Sequence, residues 1–565
     1  MPMSRRLVSL SLLILVACGG GDGGGTDPPP ADAATCDAPG TISLAAGAHR
    51  IANPATSGGC VRLPGATAES EYLVALVSGA GQVTESGVSG PYALRAGAAG
   101  SLAEASQTAG VAAMVAGEPQ APSWPQRFHL ALRESESRLA SAPGTRLPPA
   151  MSPGVVTAPA VGSERLFRVC KNLSCTQFDS VTAVARSVSE KVAVYLDKVV
   201  PTNDSLRQED LDELARTFTT YHYPINSNAF GGESDKDGNG VVIILMTDAV
   251  NALTPDCTDG RILGFFWGGD LLNVTGSNSA EVFYAMVPAP ATATCTSASR
   301  KQVVDRIKPT LIHEFQHMIN FNQHVLVRAG PSETTWLNEA LSHLSEELAG
   351  KLIPNTECVG FTSCRSQYAS GDIFNAWDYL ENTEATFLVV SGKSNGTLEE
   401  RGAGWLFVRW LTDQFGTDSL GANVTRGLVQ TSQTGAQSIS TLTSTEFPTL
   451  VGEWLLATYT DDLAGFTPAS PRLTYTTWGF RKVFQDNCCV SGAAFPRAFP
   501  FTPVAVNAAG FPFARSGTLR GGSGRHFSVT VGAGSQGVDL LLAREVNGPV
   551  IDPALAARFA IVRLR

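Results

Sequence analysis

The sequence of 565 residues lacks several features that would assign it to a well-defined class of protein. Its Lys and Arg residues are scattered and the formal net charge is -10, so no basic patch predicts nucleic acid or an anionic membrane as a partner. No internal repeat indicates a solenoid. No two cysteines have the CxxC spacing, which argues against a cysteine-bound zinc site. Only eight histidines are present, so a motif that needs two of them rarely arises by chance.

Long apolar runs are also missing. The apolar stretch at residues 7–17 follows Arg5 and Arg6 and is too short to span a bilayer. It ends in Leu-Val-Ala before Cys18, which resembles the lipobox of bacterial lipoproteins and predicts acylation of Cys18. The alternative is an ordinary secretory signal that is cleaved nearby. Either interpretation predicts an exported protein. If the protein is anchored to a bacterial membrane, at the outer membrane or cell surface, the lipid on Cys18 would be its only anchor.

The remaining cysteines agree with export. They are even in number and fall in couples that are close in sequence, which is typical of disulfides formed in an oxidising compartment. Cys488 and Cys489 are the exception, because a bond between adjacent residues would be strained. These two residues pair elsewhere or stay open. The ten are Cys36, Cys60, Cys170, Cys175, Cys257, Cys295, Cys358, Cys364, Cys488 and Cys489.

Composition and apolar periodicity predict an α+β protein of several domains. Short strands in the middle of the chain, at residues 181–200, 241–246 and 281–287, precede a region that is mostly helical. A helix at residues 124–141 could pack on either neighbour. The expected divisions are a lipoprotein signal at 1–18, a flexible linker at 19–34, an N-terminal β-rich domain ending in a helix at 35–142, a Pro-rich linker at 143–162, a domain of strands and helices at 163–470, and a C-terminal β-rich domain at 471–565.

The middle domain contains the sequence His-Glu-Phe-Gln-His at residues 313–317. On a helix, residues four apart share a face, so His313 and His317 can bind one ion together. Two neutral imidazoles suit zinc, and a catalytic zinc keeps one position for water. Glu314 can then accept a proton from that water as general base. The pattern therefore predicts a zinc peptidase, whereas the structural alternative is two surface histidines on an amphipathic helix.

A second helix, expected at residues 335–349, offers the third protein ligand. Glu339 lies on a face that could return to the metal, and His343 is a rival on the same face. Glu346 lies nearby and is, with His343, a candidate to orient a zinc-bound histidine. His324 is expected at the edge of the cleft. Tyr368 and Tyr379 are unranked candidates for stabilising an oxyanion.

The segments HEFQHMINF and WLNEALSHLSEEL together resemble the hyicolysin-type family of secreted bacterial zinc endopeptidases, which belongs to the gluzincin group. The resemblance covers roughly residues 165–465. It implies a zincin fold, zinc bound by His313, His317 and Glu339, and Glu314 as the catalytic base. Thermolysin-like gluzincins have an acidic residue four positions after the third ligand. This chain has His343 there, so the residue that orients the histidine stays open, and Glu346 is a candidate for that task.

A second metal site is suggested ahead of the strand at residues 241–246. Asp235, Asp237 and Asn239 alternate before Gly240, as in the first half of a calcium loop, and the carbonyl of Val241 would add a ligand. The acid expected at the twelfth position of such a loop is missing. A simple turn rich in Asp, Asn and Gly explains the same residues. Structural calcium is therefore an expectation that the sequence leaves open.

Two functions follow from these patterns. The first is an exported, lipid-anchored zinc endopeptidase whose partners are protein or peptide substrates, with no nucleic acid. The alternative is a catalytically silent, zincin-like surface lipoprotein that binds a polymer or a protein. The intact pair of motifs around Glu314 and Glu339 favours the first.

Overall fold

The computed structural model describes residues 34–102, 122–145, 157–201, 204–391, 396–418, 420–489 and 494–565. Cys18 and the rest of the expected signal lie outside them. The first described elements are strands β1 (Gly40–Thr41), β2 (His49–Ala52), β3 (Cys60–Pro64), β4 (Ser70–Val77) and β5 (Ser89–Ala98), and helix α1 (Trp124–Ser141). The next are β6 (Glu164–Cys170), β7 (Phe178–Val188), β8 (Val192–Asp197), α2 (Gln208–Thr217), α3 (Tyr223–Phe230), β9 (Val242–Met246), α4 (Asp248–Ala252), β10 (Gly264–Phe266) and β11 (Val282–Ala285).

A helical region and a last group of strands follow. The helices are α5 (Arg300–Phe321), α6 (Thr335–Leu352), α7 (Cys364–Tyr368), α8 (Ser370–Glu381), α9 (Leu398–Phe415), α10 (Ala422–Val429), α11 (Gly435–Thr443), α12 (Phe447–Thr460) and α13 (Phe480–Asp486). The strands are β12 (Val504–Val506), β13 (Phe513–Arg520), β14 (Gly524–Val531), β15 (Gly537–Ala543) and β16 (Arg558–Arg563). The expected α+β class is confirmed.

The middle of the chain forms one sheet in the order β10-β11-β9-β8-β7-β6. Strands β8, β9 and β11 run parallel, and β10 pairs antiparallel with β11 at the edge. Every residue of β9 is buried, because a parallel strand in the centre of a sheet is covered on both faces. Its unbroken run of Val, Ile, Leu and Met fits this position. Helix α5 contacts the edge strand β10, and this contact brings the helix motif to the edge of the sheet.

The strands at the two ends of the chain form a single β unit with two five-stranded sheets. Strand β5 pairs with β13 and β15 in one sheet, and β4 pairs with β14 and β16 in the other. Leu94 and Leu540 from one sheet share a buried core with Val74 and Phe559 from the other. The expectation of separate N- and C-terminal β-rich domains is therefore wrong. Strand patterns report which face is buried, and they do not report which distant strand pairs with it.

Helix α1 leaves this β unit and packs on the middle sheet. Phe128 and Leu132 join the main core, and the Phe128 ring meets Phe265 of β10 at a centroid distance of 5.1 Å. The indole of Trp124 donates to the carbonyl of Leu253 at 2.8 Å. The helix therefore belongs with the middle domain and not with residues 35–102. Its apolar stripe could have packed on either neighbour, because a stripe does not identify its partner.

The described cysteines form five disulfides, which are Cys36–Cys60, Cys170–Cys175, Cys257–Cys295, Cys358–Cys364 and Cys488–Cys489. The adjacent Cys488 and Cys489 bond to each other, so the expectation that they pair elsewhere or stay open is wrong. Among the residues that the structure describes, none of the helices combines the length and apolar character needed to cross a membrane.

Candidate active site

Helix α5 holds the two histidines of the motif on one buried face. Ser299 and Gln302 cap its first turn reciprocally, which satisfies free backbone N–H groups there. Pro309 lies inside the helix and cannot bond the carbonyl of Asp305, so Gln367 donates to that carbonyl instead at 3.1 Å.

His313 and His317 follow one turn and two turns after this proline. Their side chains are nearly inaccessible, and their Nε2 atoms lie 3.2 Å apart. The helix therefore points both imidazoles at one place.

Glu339 of α6 completes a triangle of donor groups, made of two imidazoles and one carboxylate. Its Oε2 lies 3.5 Å from Nε2 of His313, and its Oε1 lies 3.6 Å from Nε2 of His317. Zinc binds N and O ligands at about 2.0–2.2 Å, so two ligands of a tetrahedral ion are about 3.3–3.6 Å apart. The three separations fit a single zinc ion.

A second layer of contacts orients these donors. Oε1 of Glu346 lies 2.5 Å from Nδ1 of His313, and Oδ1 of Asn338 lies 2.9 Å from Nδ1 of His317. Each acceptor favours a proton on Nδ1, which leaves Nε2 as the lone-pair atom that a metal needs. Burial lowers the pKa of His317 well below its usual value, so this ring is neutral.

His343 lies beside this layer and not in the triangle. Its Nδ1 is 2.8 Å from Asp372 and 3.2 Å from Glu346, and its ring meets that of His313 at a centroid distance of 4.9 Å. Glu346 therefore contacts two histidines at once. An acid is expected at position 343, where this chain has a histidine. The carboxylate that contacts His313 belongs instead to Glu346, one turn further along α6.

Glu314 lies next to the triangle and is held by the edge strand. Its Oε2 accepts a hydrogen bond from the backbone N–H of Phe266 at 3.0 Å. Its Oε1 lies 3.7 Å from Nδ1 of His129, and Arg133 lies 3.8 Å from Oε2. Burial raises the pKa of Glu314, and the charges of His313 and Arg133 oppose this.

A cavity of about 780 Å³ opens over these groups. His129, Arg401 and Tyr368 line it together with His313 and Glu314. Sequence reasoning missed His129 because α1 lies outside the segment assigned to the site. One signal could have indicated it: His129 and Arg133 are four residues apart, the spacing that puts two polar side chains on one helical face.

Arg401 reaches the site because two helices pack closely. Gly404 of α9 faces Ala340 of α6, and a Cβ on Gly404 would lie 3.1 Å from that of Ala340. Arg401, one turn earlier in α9, places its guanidinium 2.9 Å from Oε2 of Glu339. The carboxylate is therefore held ionised beside the two histidines.

Of the three other candidates, Tyr368 lines the cavity, and His324 and Tyr379 do not. His324 is fully buried, with Nε2 3.2 Å from the carbonyl of Leu428, so its expected place at the edge of the cleft is wrong. Tyr379 stacks on Trp454 in the core and does not line the cavity. Tyr368 does line it, although its hydroxyl is 2.9 Å from Nε2 of His222.

In the loop proposed for calcium, most of the side-chain oxygens already accept hydrogen bonds or form an ion pair within the protein. Asp235 accepts from Gly240 N at 3.1 Å, and Asn239 Oδ1 accepts from Val241 N at 2.7 Å. Asp237 pairs with Arg165 at 2.8 Å. These are the bonds of a turn, and they leave calcium as a prediction. A third carboxylate, from Glu281, has an oxygen within 4.8 Å of Asp235 and Asp237.

Over a limited stretch, the chain is similar in sequence to a known protease. No family model matches the chain. It is 35% identical over 126 residues to the neutral metalloprotease ShpI of Staphylococcus hyicus, which is 22% of this chain and 27% of that protein. Among solved structures, the M1 zinc metallopeptidase of Deinococcus radiodurans overlaps 52% of this chain and 48% of its own, at 13% identity and a TM-score of 0.24. A mutant of the same enzyme gives 14% identity and a TM-score of 0.24, over 52% of this chain and 49% of its own. The chain is therefore similar, over part of its length, to a neutral metalloprotease.

Proposed function

We propose that this chain is a zinc-dependent peptidase in which His313, His317 and Glu339 bind the metal and Glu314 is the general base. The observation that carries the proposal is the triangle of donor groups, in which the two Nε2 atoms lie 3.2 Å apart and the carboxylate oxygens of Glu339 lie 3.5 and 3.6 Å from them. The similarity to a neutral metalloprotease supports the same reaction class.

The donor set fits a cation better than it fits a metal-free core. Glu339 is buried, and neither of its oxygens accepts a hydrogen bond of good geometry, although Arg401 lies close. A buried carboxylate without hydrogen bonds is costly, and a bound divalent ion would remove that cost. When bound, zinc would supply a water of lowered pKa and would polarise the substrate carbonyl.

The remaining steps belong to the chain itself. Glu314 keeps Oε2 on the N–H of Phe266, so Oε1 is the oxygen that takes the proton from the attacking water. The same oxygen then gives the proton to the leaving amine. Glu346 and Asn338 keep the two imidazoles turned so that Nε2 faces the centre. Burial of Glu314 raises its proton affinity, which suits an acceptor that works near neutral pH.

The finer parts of the proposal concern substrate and location. We propose an endopeptidase that acts on proteins or peptides outside the cytoplasm and is anchored by lipid on Cys18. Five disulfides support an oxidising compartment. The anchor is tested by metabolic labelling with a tagged fatty acid, which should label the wild type and not Cys18→Ser.

Removal and return of the metal test the activity. A chelator should abolish hydrolysis of a casein or quenched peptide substrate, and stoichiometric zinc should restore it while magnesium should not. A metal-free protein that retains full hydrolysis would refute the proposal.

A further inference from the structure

We infer that the cleft binds a carboxylate of its peptide substrate between Arg261 and Arg306. The inference rests on the proposed peptidase function and adds a substrate class to it. Both arginines line the cavity that contains His313 and Glu314.

Arg306 stands on the helix that carries the motif. It lies seven residues before His313, which is about two turns, so both side chains share one face of α5 and their Cα atoms are about 10 Å apart. An extended peptide advances about 3.3 Å per residue. A carboxylate bound at Arg306 therefore belongs to a residue two or three positions from the scissile bond.

Arg261 is brought to the same end of the cleft by a loop with a covalent tie. Cys257, four residues earlier, is bonded to Cys295, and the Arg261 guanidinium donates to the carbonyl of Thr296 at 2.6 Å. This bond uses one nitrogen and leaves the other guanidinium N–H groups available. Burial and the nearby charge of Arg306 lower the pKa of Arg261, which agrees with two cations set close together.

Among the residues that the structure describes, none provides a counter-charge for the two guanidinium groups. Within the described part of the chain, no carboxylate forms an ion pair with Arg261 or Arg306. Asp305, which precedes Arg306 in the sequence and also lines the cavity, is bonded to Lys301 at 2.6 Å. Glu346 is engaged by two histidines. The cavity therefore contains uncompensated positive charge at the end away from the catalytic residues.

A small depression lies between the two arginines. It has a volume of about 60 Å³ and is lined by both of them and by Gln302, Ser297 and Thr296. A cavity needs about 10–15 Å³ of such space to hold one water, so the depression has room for a carboxylate. Arginine is the residue best suited to grip a carboxylate with two parallel hydrogen bonds. The group can come from an acidic side chain or from the C-terminus of the peptide.

Three matched peptides separate these sources. All share one apolar cleavage sequence and differ only at the third residue from the scissile bond. The first two peptides are each made with this residue on the N-terminal side of the bond and with it on the C-terminal side. The first has Glu and an amidated C-terminus, the second has Gln and an amidated C-terminus, and the third has Gln as its last residue with a free carboxylate. We expect kcat/KM to be about ten-fold higher for the first or the third than for the second, which corresponds to about 1.4 kcal/mol, because the carboxylate gains charge-assisted hydrogen bonds from the arginines.

The variant Arg261→Gln/Arg306→Gln should remove this difference between the peptides. Arg497→Gln is the matched control, because Arg497 is an exposed arginine that pairs with Glu381 and does not line the cavity. It should preserve the preference. Equal rates for the three peptides, or a loss of rate in the double variant that is the same for all three, would overturn the inference.

Direct binding keeps the result separate from catalysis. Labelled versions of the three peptides are titrated with Glu314→Gln protein, with and without the two arginine substitutions, and Kd is read by fluorescence anisotropy. Tighter binding of a carboxylate peptide that disappears with the arginines supports the inference even if no hydrolysis is found. Identical Kd values contradict it, whatever the wild type hydrolyses.

Discussion

Oε1 of Glu346 lies 2.5 Å from Nδ1 of His313. A gluzincin-like reading of the sequence expects an acid at position 343, and the chain has a histidine there. Glu346 is one helical turn further along α6 and lies on the same side of the helix, so its side chain reaches the imidazole of His313. The proposed metal centre therefore has a carboxylate behind its first histidine.

Removal of Glu346 should weaken zinc binding without abolishing it. Groups that orient a ligating histidine typically contribute 10–100-fold in metal affinity, and we expect a loss of about that size for Glu346→Ala. Competition with a zinc chelator of known affinity measures it. Glu381→Ala is the control, because Glu381 pairs with Arg497 at the surface. A Glu346 variant with wild-type affinity would remove this residue from the account.

The third ligand is tested by two variants of α6. Glu339→Ala removes a donor from the triangle and should cost more than about 100-fold in zinc affinity, beyond the range of an orienting group. His343→Ala removes a group that touches Glu346 and Asp372, so its loss should be no greater than that of Glu346→Ala. Isothermal titration with zinc ranks the two. The opposite order would make His343 the ligand.

Helix α1 should matter to stability and to rate. Arg133 donates to the carbonyl of Phe266 at 2.6 Å and pairs with the buried Glu136 at 3.1 Å, while the N–H of Phe266 holds Glu314. Arg133→Met leaves a buried carboxylate without its partner, which costs about 3–5 kcal/mol, and it loosens the strand at the catalytic base. We expect a lower free energy of unfolding and a lower kcat with zinc content unchanged.

A compensating change separates the two effects of Arg133. Glu136→Gln in the Arg133→Met background removes the unpaired charge and keeps an acceptor for the N–H of Gly268. The double variant should recover most of the lost stability, as measured by urea denaturation. If it is as unstable as the single variant, the buried ion pair is not what α1 contributes.

A buried glutamate that does not line the cavity, Glu333, gives a pH dependence. Burial raises the pKa of Glu333 to about 7, although the N–H groups of Gly435 and Thr334 oppose the shift. The stability that comes from its protonated form is fully present below its unfolded pKa, about 4.5, and is lost as pH rises through about 7. At pH 8 the wild type should therefore lack a contribution of order 3 kcal/mol that it has at pH 4.5.

Glu333→Gln tests this sign. The amide keeps the oxygen that accepts from Gly435 and Thr334, and its NH₂ replaces an oxygen that has no hydrogen-bond partner. His324, 3.7 Å away, has a pKa lowered by burial to about 4, so it is neutral across this range. The variant should unfold at higher temperature than the wild type at pH 8 and at a similar temperature at pH 5. A variant that is less stable at pH 8 would show that the charged form is preferred.

The sequence predicts local features well and distant pairings poorly. The helical spacing of His313 and His317 fixes their common face, and the boundaries expected for the helix at residues 124–141 match α1. The pairing of Thr518 with Pro91 joins strands from opposite ends of the chain, and the sequence of neither strand identifies the other as its partner. His129 was missed for the same reason, since the contact that brings it to Glu314 is made by tertiary packing.

The central claim is that Glu314 is the base beside a zinc ion held by three other side chains. The most direct measurement determines zinc content and peptide hydrolysis on the same samples of wild type and Glu314→Gln. The account predicts one zinc per chain in both proteins and a loss of about 10²–10⁴-fold in kcat for the variant, because a positioned general base contributes about that much. A variant that retains wild-type kcat, or a wild type that binds no added zinc, would contradict it.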